Sequence, residues 1–230
     1  MVTAHPDDVD FGAAGSVASW VADGHDVAYC ICTSGDAGAG PAHMPRSEVG
    51  ALREAEQNAA AAAVGVTDVT YLRYPDGALV AGIALRKDIS RAIRRFRPDR
   101  VVCQSAERNL DRIIGSHPDH LAAGEATIAA VYPDARNEWA HPDLAEVEGL
   151  EPWSCNEVYV MLQQGPTEAM VYVDITDSFD KKVAALTSHV SQVGGNPNIA
   201  EFIRGWAAGN AVAGGLEDGR LAEVFRKVTI

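Results

Sequence analysis

Basic residues are scarce. Nineteen Lys and Arg stand against 32 Asp and Glu, a net charge of −13 over 230 residues, and no Lys/Arg cluster is ready to neutralise phosphates. That argues against nucleic acid and disfavours an anionic membrane surface. No uninterrupted apolar run approaches the length of a membrane span. Neither a basic n-region nor an apolar h-region precedes His5, so a cytoplasmic location is expected. The four cysteines, Cys30, Cys32, Cys103 and Cys155, form no C-x-x-C pair. Buried free thiols in a reducing compartment are expected, not disulfides or a structural zinc site. The glycine-rich stretch 35–40 has no G-K-[ST] ending, no G-x-G-x-x-G follows a strand, and no G-x-S-x-G elbow is present. Phosphate-loop, dinucleotide and serine-nucleophile chemistry are set aside on those grounds. Without internal repeats or a low-complexity linker, 1–230 reads as one domain, with a core over 1–132 and an extension over 133–230 packed on it.

What is present is an alternation of short β-like runs and helical stretches. Strands are expected at 1–4 (very short), 25–33, 68–73 and 100–104; helices at 12–22, 48–63, 81–96 and 118–131. Residues 5–11 read as a polar loop and 34–40 as a flexible turn. This β-α rhythm predicts a Rossmann-like three-layer α/β sandwich around a mostly parallel sheet with right-handed crossovers. Residues 132–152 read as irregular. Strands follow at 157–162 and 169–174, helices at 178–192 and 199–212, and 222–230 is a last strand or a helix tail.

Two segments carry chemistry. Ala4-His5-Pro6-Asp7-Asp8 follows the first strand; Ser116-His117-Pro118-Asp119-His120 follows the fourth by about a dozen residues. In a parallel sheet both lie at the carboxyl edge, where ligands bind near a topological switch point. Each couples His-Pro-Asp to a further ligand type. His5, Asp8 and His120 supply the three protein ligands that a catalytic zinc typically has, leaving a position for water. Asp7 is then within reach as general base, His117 as oxyanion stabiliser or proton donor, and Asp119 as the group that holds an imidazole in one tautomer. A third copy, His141-Pro142-Asp143, is followed by Leu144 and reads as structural.

At these residues the chain resembles the PIG-L/LmbE family of zinc-dependent deacetylases, which includes N-acetylglucosaminyl-phosphatidylinositol, GlcNAc-inositol and bacillithiol-pathway deacetylases. Ala4–Asp8 matches its A-H-P-D-D motif and His117–His120 its H-P-D-H motif. The resemblance implies zinc on His5, Asp8 and His120, with Asp7 as base and His117 as second catalytic residue. Weaker matches are Thr33 to Gly38 (T-x-G-[ED]-x-G), Arg53 and Glu56 (R-x-x-E), Asp76-Gly77, and Lys182 to Gln192 (K-x-x-A-L-x-x-H-x-S-Q). Two departures stand out: only three residues precede Ala4, and Asp10 occupies a place where the family often has Glu.

Arg53, Asp36, Asp10 and His189 are candidate substrate contacts, each weighed against a structural role: solvated Arg, turn residue, helix cap and packing residue. Trp139, Trp153 and Trp206 are read as packing residues before sugar-stacking ones. The expected function is removal of an N-acetyl group from a small-molecule amino sugar or its conjugate. Zn2+ is the expected cofactor, with Fe2+ or another divalent ion as alternative. A same-fold amidase cleaving a larger acyl or thiol-conjugate amide, and a non-catalytic metal-binding relative, are the competing readings. Homo-oligomerisation is left open.

Overall fold

The structure is a computed structural model that describes residues 1–38, 44–111, 113–161 and 169–230. Among them is a seven-stranded sheet, ordered β3-β2-β1-β4-β5-β7-β6. The strands are β1 (Val2–Thr3), β2 (Ala28–Thr33), β3 (Asp68–Tyr74), β4 (Arg100–Cys103), β5 (Glu157–Met161), β6 (Met170–Asp174) and β7 (Ala222–Thr229). The five from β3 to β5 are parallel; β7 pairs antiparallel with both β5 and β6. The mostly parallel α/β sandwich expected from the sequence is what forms. The C-terminal strands extend the same sheet.

The period-2 alternation of the strands sorts two cores. Cys30, Cys32, Val101, Cys103, Val158 and Val160 face the side covered by α4 (Ile83–Phe96) and α5 (Pro118–Ala129). Tyr29, Ile31, Val102, Tyr159 and Met161 face α1 (Asp8–Gly12), α2 (Ala14–Ala22), α3 (Arg46–Ala63) and α7 (Phe179–Thr187). Each fully buried large apolar side chain contributes about 1.5–3 kcal/mol. A smaller cluster including Ile175, Phe179, Leu186 and Ile203 lies under α7, α8 (Val190–Val193) and α9 (Ile199–Ala213). All four cysteines are free and buried. Among the described residues, no helix is long and apolar enough to cross a membrane.

The two-residue β1 is held from both sides. The Met1 ammonium donates to the Ala28 carbonyl at 2.8 Å, and Cys30 N–H to Met1 O at 2.8 Å. Thr33 gives both its N–H and its hydroxyl to Ala4 O, at 2.8 and 3.0 Å. On the other side, Ala4 N–H donates to Gln104 Oε1 at 2.9 Å.

Several local expectations are corrected. Residues 5–11 are not all loop: α1 begins at Asp8, because Asp7 turns the chain with φ 89° and places Asp8 and Asp10 in the first helical turn. The expected helix over 12–22 is broken at Ala13, whose φ/ψ of −150°/2° separates α1 from α2. The helix expected over 178–192 is likewise split between α7 and α8 at Ser188 and His189. The irregular 132–152 stretch contains the short helix α6 (Asp143–Glu146), which buries Leu144. Residues 222–230 resolve as strand. Residues 39–40 of the expected 34–40 turn and residue 162 of the expected 157–162 strand lie outside the described residues.

Candidate metal centre and active site

The chain runs outward from β1 through β2 to β3, then returns to β4 on the other side of β1. The β1/β4 boundary is therefore the switch point, and the two His-Pro-Asp segments follow these two strands. His117 is the N-cap of α5 and Pro118 its first residue, a position where proline loses no hydrogen bond. Asp119 and His120 thus sit in a helical first turn aimed at the segment after β1.

His5 Nδ1 lies 3.2 Å from His120 Nε2, His120 Nε2 3.1 Å from Asp8 Oδ1, and His5 Nδ1 3.5 Å from Asp8 Oδ2. Ligand atoms about 2.1 Å from a tetrahedral zinc stand roughly 3.3 Å apart. These separations are compatible with a shared divalent ion, with His120 meeting Asp8 Oδ1 and His5 meeting Asp8 Oδ2. Asp8 is fixed in place by His5 N–H, which donates to its Oδ2 at 2.7 Å. The other face of the His5 ring meets two carboxylates: Nε2 lies 3.0 Å from Asp76 Oδ1 and 3.2 Å from Asp119 Oδ2. These orient the ring so that Nδ1 points to Asp8 and His120, the outer carboxylate–imidazole arrangement common to metal-ligating histidines. Asp119 is itself held by Gly77 N–H at 2.7 Å and Leu79 N–H at 3.1 Å. Two wider groups also bring their donors within 4.8 Å of one another: His5, His117 and His120, and His5, Asp76 and Asp119. In the first, His117 Nδ1 accepts from Asp119 N–H at 3.2 Å, so only its Nε2 is open.

Protonation follows from this crowding. Burial alone would lower His5, but its hydrogen bonds to Asp119, Asp76 and Asp8 outweigh it and carry the ring up to about 12. His120 is raised against its own burial by Asp8. Asp8, despite burial, is held well below the usual carboxylate range by His120 and His5. Imidazolium charge here occupies the place of cation charge. His117 goes the other way: burial, then the His5 and His120 charges, lower it. Its ring is neutral, with the proton on Nε2 because Nδ1 accepts. Burial, then the Asp8 carboxylate, push Asp7 up to about 7, with Arg53 opposing.

Arg53 is buried on α3 and forks into the turn. It donates to Pro6 O at 2.8 Å and Gly35 O at 2.9 Å, and it pairs with Asp7 Oδ2 at 3.2 Å. Its side-chain target is Asp7. Asp36 pairs with Arg46 at 3.0 Å and accepts from Asp76 N–H at 3.3 Å, which ties the turn after β2 to the one after β3. Asp10 and His189 are bonded to each other at 2.8 Å and have no solvent exposure, so neither reaches a substrate. Expecting substrate contacts from these two is corrected by that burial. His141 meets Asp134 at 3.3 Å, remote from the cluster; Asp134 takes both nitrogens of the Arg86 fork. Trp153 packs with its indole N–H on Pro98 O at 2.8 Å, and Trp206, on α9, packs against the cluster of Ile175, Phe179 and Ile203, whereas Trp139 is 79% exposed and not a packing residue.

Sequence reasoning met Asp76 only as part of the Asp76-Gly77 match, with no role assigned, and passed over Gln57 and Gln104. Asp76-Gly77 follows β3, and its place at the carboxyl end of a parallel strand was a usable signal. Gln57, four residues from Arg53 on an Ala-rich helix, and Gln104, at the end of β4, carried none.

Fold and site together define an α/β protein with a candidate His/Asp metal centre at the carboxyl edge of its sheet. The chain belongs to the PIG-L family: the family model described as GlcNAc-PI de-N-acetylase matches residues 1–131. It is 28% identical to a 1D-myo-inositol 2-acetamido-2-deoxy-alpha-D-glucopyranoside deacetylase of Rhodococcus erythropolis, over 88% of this chain and 83% of that one. It is 30% identical to a diacetylchitobiose deacetylase of Thermococcus kodakarensis, over 82% of this chain and 67% of that one. The solved N,N'-diacetylchitobiose deacetylase of Pyrococcus horikoshii superposes with a TM-score of 0.84 at 28% identity, covering 98% of this chain and 81% of that one.

Proposed function

We propose that this protein is a zinc-dependent hydrolase that removes the N-acetyl group from an amino sugar or an amino-sugar conjugate. The observation that carries the reading is the Asp7–Asp8 pair: adjacent carboxylates, one facing His5 and His120, the other turned by a left-handed backbone toward Arg53. A protein that only held a metal would have no use for the second. The relatives named for GlcNAc-containing substrates support the amino-sugar class. Fe2+ is the alternative ion, since this donor set suits both.

His5, Asp8 and His120 would hold the ion, which when bound polarises the amide carbonyl and lowers the pKa of the attacking water. Asp7, with Oδ2 engaged by Arg53, takes the water's proton on Oδ1. His117, neutral with its proton on Nε2, donates a hydrogen bond to the carbonyl oxygen as charge develops there. Asp7 returns the proton to the departing nitrogen, the primary amine and acetic acid leave, and the acid's remaining proton passes to the amine or to solvent, giving acetate. Asp119 and Asp76 keep the His5 ring in its tautomer. Asp36, linked through Asp76 to His5, is assigned to a sugar hydroxyl. Residues 1–230 act in this reading as one domain, because His189 and Glu223 of the C-terminal half bond to Asp10 and to the backbone of α2.

The test is metal analysis paired with primary-amine release from GlcNAc, chitooligosaccharides, GlcNAc-inositol and glycosylated natural products. Amine and acetate should appear in equal amounts, chelation should stop the reaction, and zinc should restore it. Asp7→Asn should keep its metal and lose about 10²–10⁴-fold in turnover. Near-normal turnover by that variant would remove Asp7 as the base.

A further inference from the structure

Asp7 occupies a backbone conformation that non-glycine residues rarely adopt, with φ 89°. Such a turn persists only where its surroundings over-determine it. Arg53 grips the peptide before it, through Pro6 O. The Asp7 N–H itself donates to Gln57 Oε1 at 2.8 Å. The other end of that amide, Gln57 Nε2, donates to Asp10 Oδ2 at 2.9 Å, and the same oxygen lies 2.8 Å from His189 Nε2. Gln57, Asp10 and His189 each have 0% exposure.

The direction of this chain of bonds is fixed by chemistry. An Asp10 carboxylate accepts only, so Gln57 must turn its NH2 toward it, and its carbonyl is thereby left to face Asp7. The free amide could flip; Asp10 forbids the flip, and His189 holds Asp10. The fold departs from regular structure to make this possible. The α7–α8 segment breaks at His189 (φ/ψ −82°/61°), which drives the imidazole inward. Ser191 then docks on Glu56, the neighbour of Gln57, by its N–H at 2.7 Å and its hydroxyl at 2.6 Å. Lys182 of α7 clamps the other end of α1, donating to Asp10 O at 3.0 Å and Phe11 O at 2.8 Å. Two buried polar atoms, Asp10 Oδ1 and His189 Nδ1, have no hydrogen-bond partner among the described residues, which is unfavourable for stability. The arrangement costs stability and delivers orientation.

We propose that His189, Asp10 and Gln57 are positioning residues that lock the Asp7 peptide in its left-handed turn, so that a helix break outside the matched segment 1–131 governs turnover at the N-terminal motif. The proposal rests on the reading of Asp7 as the base.

The test compares Gln57→Met, Gln57→Glu, His189→Phe and His189→Gln for metal content, kcat, KM and amide hydrogen exchange of the segment 4–11. Gln57→Met and His189→Phe should lower kcat by about tenfold or more, with KM within about twofold and metal content unchanged. Gln57→Glu can accept from Asp7 but cannot donate to Asp10, and should fare no better than Gln57→Met. His189→Gln restores a donor to Asp10 and should stay within about threefold of the parent. Exchange over 4–11 should quicken in the impaired variants alone. Unchanged kcat per metal-loaded chain in Gln57→Met, whether or not its melting temperature falls, would reduce the three residues to scaffold and overturn the proposal. Should His189→Phe not fold, the near-isosteric Gln57→Met, on a different helix, carries the comparison. If the parent releases no amine from any N-acetylated amino sugar, the functional reading fails separately. Hydrogen exchange over 4–11 still decides the lock, and unchanged protection in Gln57→Met overturns it.

Discussion

Arg53 is where single-residue chemistry is most exposed to test. Its guanidinium joins two backbone carbonyls and the Asp7 carboxylate, and its charge opposes the burial that raises Asp7 to about 7. A base works only when deprotonated, so kcat/KM rises with pH through the Asp7 ionisation. That ionisation sets the acid limb of the profile. Arg53→Gln removes the favourable charge and should move the limb to higher pH by roughly one unit or more. Arg53→Lys keeps the charge without the fork and should bring the limb most of the way back. A pH profile of kcat/KM for the three proteins measures this, and an acid limb unmoved in Arg53→Gln would break the link between the two residues. At this scale the candidate metal ligands were legible because each His-Pro-Asp carries its extra ligand type within one or two positions. Arg53 was legible only as a candidate, because its partners lie 18 and 46–47 positions away. Asp76 was noted without a role and Gln57 was passed over for the same reason: a turn aspartate and a helix glutamine look like surface residues until the sheet brings β3 and α3 beside β1.

At the scale of elements, the site depends on how closely α5 approaches the end of β4. Gly124 faces that end: a Cβ added there would lie 2.5 Å from Gln104 O, 2.8 Å from the Ser105 carbonyl carbon and 2.9 Å from Ala106 N. All three are backbone atoms and cannot swing away. Gly124→Ala should therefore push α5 off the strand, at a cost of about 1–3 kcal/mol in urea unfolding. His117, Asp119 and His120 would move with the helix, and the Gln104 bond to Ala4 would loosen. Metal affinity should fall along with stability, read by titration with a competing chelator. An unchanged affinity would show that the His-Pro-Asp turn keeps its place independently of the helix behind it. The β-α alternation to residue 131 was readable because strand and helix periods are local. The breaks at Ala13 and His189 were not, since each answers to a contact with a distant element. Nor was the insertion of β7 between β5 and β6, where nothing in three apolar runs states their order.

The molecule as a whole brings a candidate ligand pair from its first eight residues together with one from residue 120, in a chain of net charge −13. A cation bound there ties the N-terminal turn to α5 and should stabilise the folded state by mass action, by about 4 kcal/mol at a thousand times the dissociation constant. Protons compete for the same atoms. His5, carried to about 12 by Asp119, Asp76 and Asp8 against its burial, is protonated at neutral pH before the cation arrives, and His120 is shifted in the same direction. Ligation requires the neutral ring, so uptake must release at least one proton, and affinity must rise with pH by about tenfold per unit for each proton released. The sign for the fold is the reverse. A histidine whose folded pKa is raised adds stability that is complete below its unfolded value of about 6.5 and is lost as pH climbs toward the folded value. Stability of the chelated protein, as far as His5 sets it, should therefore decline across the alkaline range, while the metal-loaded protein, having already given up that proton, should lack this decline. Calorimetric titration of zinc in two buffers of different ionisation enthalpy counts the protons, and thermal unfolding from pH 6 to 10 with and without zinc reads the crossing trends. Zero protons released at pH 7 would mean that His5 is already neutral in the chelated protein, and the carboxylates around its Nε2 would then orient the ring without charging it.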